Sequence, residues 1–143
     1  MKGGNRANTR VLYVEDDIEE RKRLVDFLRL KGYIVDTADD GPQALAALRS
    51  SEYDLVILDV MMAPGNELKG EDVASGFETG KVLLRKLREE MKSHTPVIVL
   101  TAHPGAELEN QIRDLGVAAY LNKPIAPDDL ETAIADALEE TVP

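Results

Sequence analysis

The chain has 143 residues, the length of one domain, with 43% hydrophobic residues and a formal net charge of −10. It holds no cysteine, which excludes disulfides and thiolate metal sites, and no apolar run approaches the ~20 residues of a membrane span. So acidic a surface repels nucleic acid unless one patch is strongly basic. The richest basic stretches, Arg21-Lys22-Arg23 and residues 81–88, lie beside Glu19, Glu20, Glu89 and Glu90 and read as solvated helix faces. The polar start, residues 1–10, lacks the apolar segment of a signal peptide. A cytoplasmic protein is expected, with no membrane contact and no direct nucleic-acid binding.

Val11-Leu12-Tyr13-Val14 predicts a buried parallel strand over residues 10–14, which runs into Glu15-Asp16-Asp17. Leu24, Phe27 and Leu28 share a face and predict a helix over 18–30, followed by a strand over 33–37. Pro42 sits near a first helical position, where its missing N–H costs little, and opens a helix over 42–49. Leu55-Val56-Ile57-Leu58 predicts a strand over 54–58 that ends against Asp59. Residues 62–79 hold Pro64, Gly65, Gly70 and Gly76 without a sustained period, and predict an extended loop of unusual length for a small domain. It overhangs the end of the third strand. It reads as a tolerated surface insertion, because extra loop length costs little, in preference to a lid or partner-recognition loop.

Leu83, Leu84, Leu87 and Met91 predict a helix over 80–91, and Val97-Ile98-Val99-Leu100 a strand over 96–100 closed by Thr101. Leu108, Ile112 and Leu115 give a helix over 106–115, stopped by Gly116. A strand over 117–121 contains Tyr120 and precedes Lys123-Pro124. Leu130, Ala133, Ile134, Ala137 and Leu138 follow the helical period over 128–140.

Strands alternating with helices imply an α/β fold, doubly wound, with a five-stranded parallel sheet covered by helices on both faces. The expected strand order is 2-1-3-4-5, with the ligand crevice at the carboxyl ends of strands 1 and 3. The expected division is a flexible N-terminal segment over 1–9, one domain over 10–140 and a tail over 141–143. At that crevice Glu15, Asp16, Asp59 and Lys123 converge. Mg²⁺ takes oxygen ligands and keeps several waters. Asp16 and Asp59 are the best direct ligands, with the longer Glu15 reaching through water. Asp17 suits a helix cap better. Crowded carboxylates resist joint ionisation. A divalent cation and Lys123 relieve that repulsion and can stabilise the oxygens of a transferring phosphoryl group. Asp59 is the candidate nucleophile, forming an acyl phosphate, and the Thr101 hydroxyl can donate to a phosphoryl oxygen. His94 and His103 read as solvated loop residues.

Four motifs in order, Val11-Leu12-Tyr13-Val14-Glu15-Asp16-Asp17, residues 53–62 around Asp59, residues 96–102 around Thr101, and Gly116 through Tyr120-Leu121-Asn122-Lys123-Pro124, resemble the receiver domain of bacterial two-component response regulators. The flavodoxin-like order 2-1-3-4-5 is that family's own. The resemblance spans about residues 9–140. It implies a phosphorylation-activated signalling switch with Asp59 as phosphoacceptor. Mg²⁺, or Mn²⁺ in its place, would be held by Glu15, Asp16, Asp59 and the backbone carbonyl of Met61. Lys123 would contact the phosphoryl group, with a cis bond to Pro124. Thr101 and Tyr120 would form the coupled switch that reshapes the face of the fourth helix, fifth strand and fifth helix. A sensor histidine kinase or histidine phosphotransfer protein would be the donor, and a downstream protein would bind the reshaped face. No enzyme activity is implied beyond self-catalysed phosphorylation and dephosphorylation.

The sequence departs from the family at Ala63, which pushes the usual proline to Pro64, and in the long 62–79 segment. Two other functions compete. An aspartyl-phosphate phosphatase or phosphotransferase on a related fold wants an acid two places after the nucleophile, where Met61 stands. A non-phosphorylated interaction module would not need Asp16, Asp59, Thr101 and Lys123 together. The last helix carries Asp128, Asp129, Glu131, Asp136, Glu139 and Glu140 without a lysine or arginine, so it would repel a copy of itself and suits a basic partner face.

Overall fold

In the computed structural model, residues 8–59, 82–90, 94–101 and 106–140 are described. Five parallel strands, β1 (Arg10–Val14), β2 (Ile34–Ala38), β3 (Leu55–Asp59), β4 (Val97–Thr101) and β5 (Ala119–Asn122), form one sheet in the order β2-β1-β3-β4-β5. The doubly wound fold and strand order expected from the sequence are therefore present. Between the strands lie α1 (Ile18–Leu30), α2 (Gly41–Ser50), α3 (residues 82–85 continuing into a π-helical turn, Lys86–Glu90), α4 (Ala106–Asp114) and α5 (Pro127–Glu140).

Strands β1, β3 and β4 are buried on both faces, which is why they read as unbroken apolar runs. Val11, Tyr13, Leu55, Ile57, Ile98 and Leu100 point to one face and pack with Leu24, Val25 and Leu28 of α1 and Leu130 and Ile134 of α5. Leu12, Val14, Val56, Leu58, Val97 and Val99 point to the other, against Ala44 and Leu45 of α2, Val82, Leu83, Leu84 and Leu87 of α3 and Ile112 of α4. The period-2 alternation along each strand thus assigns α1 and α5 to one layer and α2, α3 and α4 to the other.

Local chemistry sets the ends. The Asp17 carboxylate caps α1 by accepting from the backbone N–H of Glu20 at 3.1 Å. At the far end, Gly32 takes φ 102°. This lets its N–H reach the Arg29 carbonyl (3.0 Å) and the Tyr33 N–H reach the Leu28 carbonyl (3.1 Å). Asp40 caps α2 by accepting from Gln43 N–H at 2.9 Å, and the Gln43 side chain accepts in return from Asp39 N–H at 2.9 Å. Pro42 stands in the first turn, as its fixed φ suits.

Boundaries move by a residue or two from those read in the sequence. The third and fourth strands run through Asp59 and Thr101, and β5 starts at Ala119, because parallel register with the neighbouring strand decides where pairing stops: Asp59 lies opposite Leu100 and Thr101 opposite Asn122. Segment 62–79, Met61 and His103 lie outside the described residues. So do residues 1–7 and 141–143.

Candidate functional site

The carboxyl ends of β1, β3, β4 and β5 bring the expected residues to one edge. Glu15 follows Val14, the partner of Leu58 in the β1–β3 register, so Asp59 comes up beside it. Both side chains are buried, whereas Asp16 is exposed. Carboxylate oxygens of Glu15, Asp16 and Asp59 lie within 4.8 Å of one another. From the β5 side, the Lys123 ammonium donates to Glu15 Oε1 at 2.7 Å and reaches Asp59 Oδ2 at 3.4 Å. It also pairs with Glu20 of α1. The Lys123–Pro124 bond is cis. Thr101 is fully buried, and its carbonyl accepts from the Lys123 N–H at 2.8 Å.

The electrostatics follow from this crowding. Burial, followed by hydrogen bonding shared with Asp59, raises the Glu15 pKa far above the carboxylate range, and the hydrogen bond from Lys123 only partly opposes it. For Lys123, burial disfavours the charge. The hydrogen bonds to Glu15 and Glu20 and the charge of Asp59 outweigh burial and hold the ammonium protonated. Glu15, Glu20 and Asp59 share one ammonium, and Asp16 joins Glu15 and Asp59, so the site is short of positive charge. An all-oxygen donor set with one exposed member, Asp16, on the open side suits a hard, partly hydrated divalent cation.

Two residues depart from the sequence reading. Arg21 was placed on a solvated face, yet it is buried. Its Nη1 donates to the carbonyls of Glu15 at 2.8 Å and Ala38 at 3.3 Å and pairs with Asp39 Oδ1 at 2.6 Å, so it pins the backbone that carries Glu15. No sequence signal marks it, because its partners, the Glu15 and Ala38 carbonyls and Asp39, lie at the ends of β1 and β2. Glu20 was read as part of the same helix face and instead joins Lys123. The N-cap pattern Asp17-x-x-Glu20 explains why an acid belongs there but not where its carboxylate goes.

Tyr120 of β5 is buried at 8% exposure, and its hydroxyl has no hydrogen-bond partner among the described residues. A half-buried strand tyrosine ordinarily keeps its hydroxyl in water. Here it is turned in, with the Arg113 guanidinium 5.7 Å from the ring centroid. Burial raises its pKa. Tyr13 lies two residues before Glu15 on the same strand face, and its buried hydroxyl likewise has no partner among the described residues. Beside Lys123, a cavity of about 270 Å³ is lined by Glu20, Arg23, Leu24, Lys123, Pro124 and Ile125.

A parallel sheet in this order, with acids and a lysine at its carboxyl edge, defines a receiver-type α/β domain. Residues 11–135 match the family model "Response regulator receiver domain", and the chain belongs to that family, whose members act in two-component signalling. Among curated relatives, it is 37% identical over 126 residues to the transcriptional regulatory protein PdtaR of Mycobacterium tuberculosis, covering 87% of this chain and 54% of that one. It is 38% identical over 133 residues to CpxR of Klebsiella pneumoniae, covering 92% and 50%. The chain thus spans about half the length of the curated relatives it matches. Among solved structures, the Francisella response regulator 1452 receiver domain superposes with a TM-score of 0.78 at 27% identity, covering 94% of this chain and all of that one. The chemotaxis protein CheY4 of Vibrio cholerae gives a TM-score of 0.71 at 30% identity, covering 90% and 98%. Among the described residues, no helix is long and apolar enough to cross a membrane.

Proposed function

We propose that this domain is a phosphorylation switch in which Asp59 accepts a phosphoryl group from a phosphohistidine of a sensor kinase or phosphotransfer protein. The observation that carries the reading is the Lys123 ammonium, which stands 3.4 Å from Asp59 and 2.7 Å from Glu15 at the rim of a three-carboxylate cluster. In the transfer, an Asp59 carboxylate oxygen forms a bond to phosphorus while the phosphorus–nitrogen bond to the donor imidazole breaks. The electron pair of that bond leaves with the ring nitrogen. Glu15, Asp16 and Asp59 have the oxygens to hold Mg²⁺, which when bound supplies positive charge to the phosphoryl oxygens.

Lys123 would neutralise a further phosphoryl oxygen, and Thr101, the last residue of the adjacent strand, would donate its hydroxyl to another. The acyl phosphate then favours the arrangement in which Thr101 and Lys123 both face it. Thr101 and Tyr120 lie on neighbouring paired strands, Thr101 opposite Asn122 and Val99 opposite Tyr120. A change at the phosphate can therefore be passed to the α4–β5–α5 face, where a downstream protein would read it. Bacterial cytoplasm is the compartment this chemistry fits.

Intact-mass measurement after incubation with Mg²⁺ and phosphoramidate or acetyl phosphate tests this. One added phosphoryl group is expected on the wild type and none on Asp59→Ala. Equal labelling of both proteins, or none on the wild type, overturns the assignment.

A further inference from the structure

We propose that Glu20 is a positioning residue for Lys123, a latch that holds the ammonium toward α1 until a phosphoryl group on Asp59 competes it away. This deepens the switch reading and rests on it. Lys123 has three carboxylates around it: Glu15 at 2.7 Å, Glu20 in direct contact, and Asp59 at 3.4 Å. An ammonium carries three N–H donors, and its two closer contacts go to Glu15 and Glu20, with the candidate phosphoacceptor farther off at 3.4 Å. Glu20 also lies at the position where a cap glutamate ordinarily folds back onto the N-cap N–H. In this structure the Asp17 side chain accepts from the Glu20 N–H, but the Glu20 carboxylate extends to Lys123 instead.

Burial separates the roles of the two glutamates. The Glu15 side chain is 2% exposed and would lose its charge partner in an apolar setting, whereas that of Glu20 is 40% exposed and can be hydrated on release. Glu20 is therefore the contact that Lys123 gives up when it turns to a phosphoryl oxygen. Releasing it opposes phosphorylation by the strength of one half-exposed ion pair, which corresponds to roughly two- to five-fold in rate or in phosphoryl retention.

The test compares phosphorylation rates with phosphoramidate and Mg²⁺ for the wild type, Glu20→Gln, Glu19→Gln and Lys123→Gln, and for the double variant Glu20→Gln with Lys123→Gln. Glu19 is exposed in the same helical turn and provides the same change of net charge. Glu20→Gln is expected to react two- to five-fold faster. Glu19→Gln should match the wild type, and the gain should vanish when Lys123 is already replaced. An equal gain in Glu19→Gln, a gain that persists without Lys123, or no gain at all overturns the proposal. The NH₃⁺ resonance of Lys123, followed by NMR without donor or metal, reads the contact separately: it should shift in Glu20→Gln, and no shift also overturns the proposal. If the wild type takes no phosphoryl group, the switch reading fails and the latch with it, while a shifted Lys123 resonance would still establish the ion pair.

Discussion

Replacing Arg21 by methionine keeps most of the side-chain stem and removes the guanidinium that clamps the loop after β1. Two carbonyls lose a charged donor: Glu15, at 2.8 Å, and Ala38, at 3.3 Å. Ala38 keeps the hydrogen bond from Glu15 N–H at 3.1 Å, so most of the loss falls on the Glu15 carbonyl. A hydrogen bond from a charged donor is worth about 1.5–3 kcal/mol. The pair with Asp39, whose side chain is 43% exposed, adds less than about 1 kcal/mol after solvent screening. Together Arg21→Met should cost about 2–4 kcal/mol. With a urea slope near 2 kcal/mol/M, the unfolding midpoint should fall by about 1–2 M. Because the clamp sits on Glu15 itself, the variant should also lose part of the rise in melting temperature that Mg²⁺ is expected to give the wild type on the proposed reading, through binding linkage. A urea midpoint equivalent to less than about 0.5 kcal/mol of change would refute the clamp, since that is the scatter of surface substitutions.

Two further predictions concern charge and packing. Glu15 has a folded-state pKa raised to about 9 from its ordinary 4.5, chiefly by burial. A raised value means that the protonated form is the one folding favours, so its contribution is fully present below 4.5 and is lost as pH climbs through about 9. Thermal melts in EDTA should therefore fall across that window, and Mg²⁺ should flatten the fall by replacing the proton with a cation; a slope unaffected by Mg²⁺ would separate Glu15 from the metal. Arg88 of α3 donates to the Thr95 carbonyl at 2.7 Å and twice to the Gly116 carbonyl, at 3.1 and 2.9 Å, tying together the approaches to β4 and β5. Arg88→Met should lower stability by about 2–3 kcal/mol in chemical denaturation, and Arg88→Lys should recover less than half, because an ammonium cannot span both carbonyls as a planar fork does.

The sheet was legible because parallel strands covered on both faces need no polar alternation, so Val11 to Val14, Leu55 to Leu58 and Val97 to Leu100 stand out as apolar runs. Glu15, Asp16 and Asp59 were legible for a related reason, since charged residues at the end of such a run sit at the sheet edge; Lys123 was legible from its place just past the last strand. Arg21 and Glu20 were not legible. Both lie within a stretch of alternating charge that looks like any solvated helix face, and their partners, the Ala38 carbonyl and Lys123, come from distant parts of the chain. A helix buried along one stripe still leaves flanking positions whose long side chains can turn either to water or to a neighbouring loop. Only the packing of that loop decides between them. The inward Tyr120 hydroxyl belongs to the same class, since period-2 alternation gives the face on which a ring lies and not whether its far end meets water.

The balance of charge explains why Lys123 has to be shared. With Glu15, Asp16 and Asp59 ionised against one ammonium, the cluster carries a formal charge of about −2. A proton on Glu15 relieves part of this in the absence of metal, and the nearby Asp59 thereby adds to burial, the main cause of its raised pKa. On the proposed reading, a divalent cation brings the cluster near neutrality, whereas converting the Asp59 carboxylate to an acyl phosphate adds about one negative charge again. No cationic side chain other than Lys123 contacts the three acids among the described residues, and Glu20 holds that ammonium from the helix side. On that reading, phosphorylation draws Lys123 out of an existing pair, and the redistribution would loosen the β5–α5 turn from the first turn of α1.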